Sequence, residues 1–146
     1  MKIYLDMCSI QRPLDTKTHP RIAVEAEAVL GILTLCEAGE IELMTSEALR
    51  FELERNPHPI RKTYALDVLA KTTVSIETDT EIEGQARTCQ AKGIKPMDAL
   101  HLASAIVAKA DYFCTCDDRF LKRAKTVDTR QTKVVSPIEL FMEVTQ

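Results

Sequence analysis

The chain has 146 residues, 45% hydrophobic and 28% charged, with 19 Lys and Arg against 22 Asp and Glu for a formal net charge of −3. This balance fits a single globular domain spanning 1–146 with a real core, and it excludes a sequence-independent nucleic-acid coat, which would be basic. No apolar run approaches the ~18 residues of a membrane span, so the expectation is a cytoplasmic protein with no membrane contact.

Met1-Lys2 leads directly into the apolar segment Ile3-Tyr4-Leu5, so no leader peptide is expected and a short strand is predicted over Lys2–Asp6. Residues 7–19 are polar and contain Pro13, which predicts a loop. Pro20 suits a first helical turn. Ile22, Ala26, Val29, Leu30, Leu33 and Cys36 then recur near the 3.6 period, predicting a helix to about Ala38 that stops at Gly39. Ile41–Thr45 alternates as a strand, and Ser46 caps a helix over Glu47–Arg55. Asn56-Pro57 ends it. A further helix is predicted from Pro59 or Ile60 to about Lys71, then a β-branched strand over Thr72–Ile76. Asp79 reads as the cap of a helix through Ala91, stopped at Gly93. Pro96 opens an alanine-rich helix to Lys109. Asp111–Thr115 is a strand, Asp117–Lys125 a polar helix, Val134-Val135 a short strand, and Pro137–Val144 a final helix. Strands alternating with helices imply an α/β three-layer sandwich, with a central, mostly parallel sheet flanked by helices.

Four acids stand at element boundaries in this reading: Asp6, Glu52, Asp98 and Asp117. Ligands of open α/β sheets bind beyond the C-terminal strand ends, and Asp6 and Asp117 lie there. The separations of 46, 46 and 19 residues mean that only tertiary folding can assemble the four. Gathered together, they would raise one another's pKa, and a hard divalent cation such as Mg²⁺ or Mn²⁺ would relieve this. Each acid also has an ordinary reading. Asp6 and Asp117 can cap backbone, Asp98 can complement a helix dipole, and Glu52 competes with Glu47 and Glu54, as Asp117 does with Asp118. Five cysteines without Cys-x-x-Cys spacing read as reduced thiols. Cys8 and Cys116 flank proposed ligands and are expected near the cavity rim, without a catalytic role.

Four segments carry a resemblance to a known family. Ile3-Tyr4-Leu5-Asp6, Thr45-Ser46 through Glu52-Leu53-Glu54, Met97-Asp98-Ala99-Leu100-His101-Leu102-Ala103, and Phe113-Cys114-Thr115-Cys116-Asp117-Asp118-Arg119-Phe120 resemble the four acidic motifs of PIN-domain proteins. That family includes small bacterial ribonucleases and toxins of toxin–antitoxin pairs. The family often places hydroxyl or amide residues just after the first acid; here Met7 and Cys8 intervene before Ser9.

The resemblance implies a PIN-like fold and a metal-dependent ribonuclease. Asp6, Asp98 and Asp117 would be ligands for Mg²⁺ or Mn²⁺, and Glu52 would be a further ligand or would hold a water. The resemblance also selects Glu52 over its acidic neighbours and Asp117 over Asp118. Thr115 and Ser9 are expected to support ligand carboxylates. Arg12, Lys95 and Arg119 are expected to meet RNA phosphates. His101, on an apolar helix, reads as a packed residue rather than a ligand or base. The partners implied are RNA, an antitoxin protein and a second copy of the chain, the last through the apolar helix face of 22–36. Two alternatives are a non-catalytic RNA-binding or regulatory PIN module and a receiver-like phosphoacceptor. The receiver reading wants an Asp at a middle strand end, where this chain has Met44-Thr45-Ser46.

Overall fold

The computed structural model describes residues 1–146. Its strands are β1 (Lys2–Leu5), β2 (Glu42–Ser46), β3 (Val74–Ile76), β4 (Tyr112–Cys114) and β5 (Lys133–Val135). Its helices are α1 (Met7–Gln11), α2 (Pro20–Glu37), α3 (Glu47–Glu54), α4 (Pro59–Leu69), α5 (Thr80–Ala91), α6 (Pro96–Val107), α7 (Asp118–Ala124) and α8 (Pro137–Val144). The strand order is β3-β2-β1-β4-β5, and every pairing is parallel rather than mostly so. Parallel neighbours need crossover connections, and here helices lie between successive strands throughout.

Successive strand residues point to opposite faces. Ile3, Tyr4 and Leu5 are all fully buried, so both faces of the sheet are covered at β1. The core is one cluster of 33 residues running from Ile3 to Leu140. Within it, the Tyr4 and Phe113 rings stack at 5.2 Å, and Phe113 meets Phe120 edge-on at 5.5 Å. Burying each such side chain contributes about 1.5–3 kcal/mol. This stack also ties β1, β4 and α7 into one unit, and those elements carry Asp6 and Asp117.

The main departure from expectation lies in residues 7–19. Asp6 is extended (φ −74°, ψ 171°), and its side chain accepts the Ser9 amide, which starts α1. A single 3₁₀ turn over Arg12–Leu14 follows. Pro13 occupies its early position, where a missing amide costs little. Elsewhere the predicted elements keep their places, with ends that shift by no more than two residues. Ser46 and Asp79 cap α3 and α5 through the Leu49 and Ile82 amides, and Ser136 with Glu139 forms a reciprocal capping box on α8.

Ala26, Val29 and Leu33 of the α2 face expected to serve self-association are buried within the chain, while Leu30 stays exposed beside α8. A Cβ on Gly31 would stand 2.6 Å from the Phe141 ring, so the two helices approach closely there. All five cysteines are free. No helix is long and apolar enough to cross a membrane.

The strand order reverses direction at β1: β2 and β3 build outward on one side, β4 and β5 on the other. In such sheets the loops leaving the two central strands diverge and open a crevice. Leu5 and Cys114 are register partners in β1 and β4. The chain beyond each therefore emerges at the same crevice, bringing Asp6 and Asp117 to it.

Candidate active site

Asp6, Glu52, Asp98 and Asp117 line one cavity of about 120 Å³, together with Cys8 and His101. Two of these acids also perform local structural work. Asp6 Oδ1 accepts the Ser9 amide at 3.0 Å and the Cys8 thiol at 3.1 Å. Asp117 Oδ1 accepts the Arg119 and Phe120 amides at 3.0 and 3.2 Å, capping α7. The cap thus fixes each carboxylate's orientation through one oxygen, and both capping residues still line the cavity.

Asp98 stands in the first turn of α6 and makes no hydrogen bond through its carboxylate. Its pKa is pushed up to about 6, first by burial and then by Asp6, with Asp117 and Glu52 adding to the effect and His101 opposing it. Asp6 is also pushed up. Burial is again the chief cause, partly offset by the Thr115 hydroxyl, the Cys8 thiol and the Ser9 amide.

Glu52 projects from α3 to His101, whose Nε2 lies 2.9 Å from Glu52 Oε1. On the other side of the ring, His101 Nδ1 is 2.6 Å from the Tyr4 hydroxyl, which is 2.7 Å from Ser46 Oγ. Ser46 Oγ in turn accepts the Leu49 amide at 3.1 Å. With a neutral His101, every link is satisfied when the Ser46 hydroxyl donates to Tyr4, Tyr4 donates to Nδ1, and Nε2–H donates to the carboxylate. Such a one-directional chain is mutually polarising. His101 is buried among apolar residues, as its sequence neighbours suggest, but both ring nitrogens are engaged and one of them orients a cavity carboxylate. The pairing of Tyr4 with His101 spans 97 residues, so no local pattern could have announced it.

The remaining expected residues are placed as follows. Thr115 Oγ1 accepts the Asp117 amide at 3.1 Å and lies 3.6 Å from the Cys8 thiol, supporting the turn that carries the acid. Ser9 contributes its amide to Asp6, whereas its hydroxyl turns inward to the Cys114 carbonyl at 3.2 Å. Cys8 lines the cavity, and Cys116 is buried behind it, 3.7 Å from Ser9 Oγ. Among the rival acids, Asp118 is held by Arg21 and Glu47 accepts the Thr78 amide.

The three expected cations separate into two groups. Arg12 is turned inward, 2.9 Å from the fully buried Glu25 and 2.9 Å from Asp15. Lys95 and Arg119 instead line a second small cavity, which shares Asp98 and Asp117 with the first and adds Arg123, a residue not singled out in the sequence.

Four carboxylates dominate the lining of the first cavity, with the His101 imidazole and the Cys8 thiol beside them. It contains no Lys or Arg to balance its charge, which suits a hard divalent cation. Carboxylate oxygens are the donors such a cation prefers, and four of these side chains face the cavity, although no three His, Cys, Asp or Glu side chains converge closely enough to hold an ion as they stand.

Three solved structures share the fold. FitAcB from Neisseria gonorrhoeae matches with a TM-score of 0.55 and 15% identity, covering 93% of this chain and 98% of that one. PAE2754 from Pyrobaculum aerophilum gives 0.57 and 13%, covering 99% and 98%. VapBC2 from Rickettsia felis, solved bound to a DNA fragment from its promoter, gives 0.54 and 14%, covering 92% and 98%. No curated protein matches. The PIN domain family model matches residues 3–126, a span that contains all four cavity carboxylates, and the chain therefore belongs to the PIN-domain family.

Proposed function

We propose that this protein is a divalent-metal-dependent endoribonuclease, with Asp6, Glu52, Asp98 and Asp117 as its catalytic carboxylates. One observation carries the reading. Four carboxylates from four separate parts of the chain line a single cavity at the sheet's switch point, and Asp98 is held near pKa 6 by burial and by the other three. Concentrating uncompensated negative charge in this way is destabilising unless a cation is to be bound there.

Asp6, Asp98 and Asp117 would hold Mg²⁺ or Mn²⁺, with Glu52 as a further ligand or as the holder of a water. When bound, the ion supplies positive charge to the scissile phosphate and activates water for in-line attack, leaving a 5′-phosphate and a 3′-hydroxyl as the family resemblance implies. The chain's own residues set the geometry. The α1 and α7 caps fix Asp6 and Asp117, His101 fixes Glu52, and Thr115 holds the Asp117 turn. A toxin role with an antitoxin partner follows from the same resemblance, and co-purification with the product of an adjacent gene tests it.

The decisive experiment incubates a mixed RNA pool with the protein in Mg²⁺, in Mn²⁺ and in EDTA, comparing wild type with Asp6→Asn and Asp117→Asn. Cleavage that requires metal and is lost in both variants is expected. Equal cleavage by Asp6→Asn, or cleavage in EDTA, would overturn the assignment. Metal-independent RNA binding without cleavage would favour a non-catalytic module.

A further inference from the structure

We infer that the cavity lined by Lys95, Arg119 and Arg123 is a subsite for one backbone phosphate of single-stranded RNA, next to the phosphate that is cut. The inference rests on the ribonuclease reading and sharpens it by assigning what fixes the strand's register.

The cavity adjoins the carboxylate cavity and shares Asp98 and Asp117 with it. An anion bound there would lie immediately beside the reacting centre. Its volume of about 100 Å³ is well below the ~300 Å³ at which small-molecule pockets begin, so it suits a phosphate group rather than a nucleobase.

The three cations are also unspent. Arg12, Arg21, Arg50, Arg61, Lys71, Arg130 and Lys133 each lie within 4.0 Å of a carboxylate. Lys95, Arg119 and Arg123 belong to the other 12 of the 19 Lys and Arg; what sets them apart is their convergence on one cavity, where they stay unpaired although two acids line it too. In a protein of net charge −3, cations left unpaired beside a carboxylate cluster supply the local field that a polyanion needs to approach it.

Arg123 is seated by the backbone. Gly93 has φ +89°, and a Cβ there would stand 2.1 Å from Arg123 Nη1. The glycine both makes the left-handed turn between α5 and α6 and leaves the space the guanidinium occupies. A guanidinium held this way presents a planar fork suited to phosphate oxygens.

The test measures binding of a short fluorescein-labelled single-stranded RNA by anisotropy, in EDTA, over a series of KCl concentrations. The proteins are wild type, Arg123→Gln, Lys95→Gln, and Lys125→Gln as an exposed control of equal charge change outside the cavity. Arg123→Gln and Lys95→Gln are expected to weaken binding about tenfold, the scale of one charge-assisted contact. Arg123→Gln is expected to reduce the slope of log K against log salt by about 0.7, the single-strand value for one phosphate. Lys125→Gln is expected to change neither. In a parallel Mn²⁺ cleavage assay, Arg123→Gln should raise KM and leave kcat unchanged.

Identical affinity and slope for Arg123→Gln and Lys125→Gln would overturn the subsite, as would failure of wild type to bind RNA at low salt. If wild type cleaves RNA and Arg123→Gln is indistinguishable from it, the subsite falls while the nuclease reading stands. If binding depends on Arg123 but no metal supports cleavage, the nuclease reading falls and the phosphate subsite stands. Thermal melts of each variant establish that exposed-residue changes leave the fold intact.

Discussion

Replacing Asp98 with Asn should stabilise the metal-free protein while removing its response to metal. A carboxyl carried from its ordinary 3.8 to about 6 has its ionised form disfavoured by about 3 kcal/mol at most, at about 1.36 kcal/mol per pH unit. Asp98 is only half-buried, so solvent screening reduces this to about 1–2 kcal/mol. Because the folded pKa is raised, the folded state holds its proton longer than the unfolded chain does. The penalty is absent below the ordinary carboxylate range, grows as pH rises from 3.8 through about 6, and is complete above that. Urea denaturation in EDTA should therefore show Asp98→Asn more stable than wild type by about 1–2 kcal/mol at pH 8 and equal to it near pH 4. Adding Mn²⁺ at about 100 times its Kd should raise wild-type stability by about 2.7 kcal/mol and leave the variant unmoved. A neutral or destabilising effect at pH 8, or a gain that persists undiminished at pH 4, would refute the electrostatic argument.

Tyr4→Phe should cost about 1–3 kcal/mol, because it leaves the buried Nδ1 of His101 without a donor. Nitrogen NMR should show the fixed Nε2–H tautomer of His101 relaxing to a mixture. Arg12→Ala should lower the unfolding free energy by about 3 kcal/mol at most, because it leaves the fully buried Glu25 with only Arg21, 3.5 Å away, as a cationic partner, while leaving the salt dependence of RNA binding unchanged; a reduced salt slope would return Arg12 to the RNA-binding surface. Gly31→Ala should destabilise by about 1–3 kcal/mol by forcing a methyl against the Phe141 ring, and an unchanged melting temperature would contradict the close packing of α2 on α8.

The alternation of strands and helices was legible because it rests on local signals: period, capping side chains and breakers. Ser46, Asp79 and the Pro137 start of α8 each act within one turn of the chain, so the residues alone identify them. The segment after Asp6 reads as loop because it is polar and contains Pro13, whereas the Asp6 cap starts α1 and a 3₁₀ turn accommodates that proline. Asp6 and Asp117 stand out in the sequence as acids at or just past the ends of apolar strands, whereas the choice of Glu52 over Glu47 and Glu54, and of Asp117 over Asp118, rests on the family resemblance. The convergence of the four acids was not legible. It depends on the reversal of strand order at β1, a property of the whole sheet that no segment encodes separately.

The same limit explains the cations and the histidine. Arg12, Lys95 and Arg119 are equivalent when judged by distance in sequence from an acid. Folding places Glu25 against the first and leaves the other two unpaired beside Arg123. His101 on its helix looks like packing, and it is packed. Only the arrival of Tyr4 from β1 on one side and Glu52 from α3 on the other turns it into a link between the core and the carboxylate cavity. The sequence by itself determined which residue types stand at element ends, because that chemistry is short-ranged. The tertiary structure decided which charges are neutralised and which remain free to act, because Coulombic and hydrogen-bond partners are set by distance in space rather than along the chain.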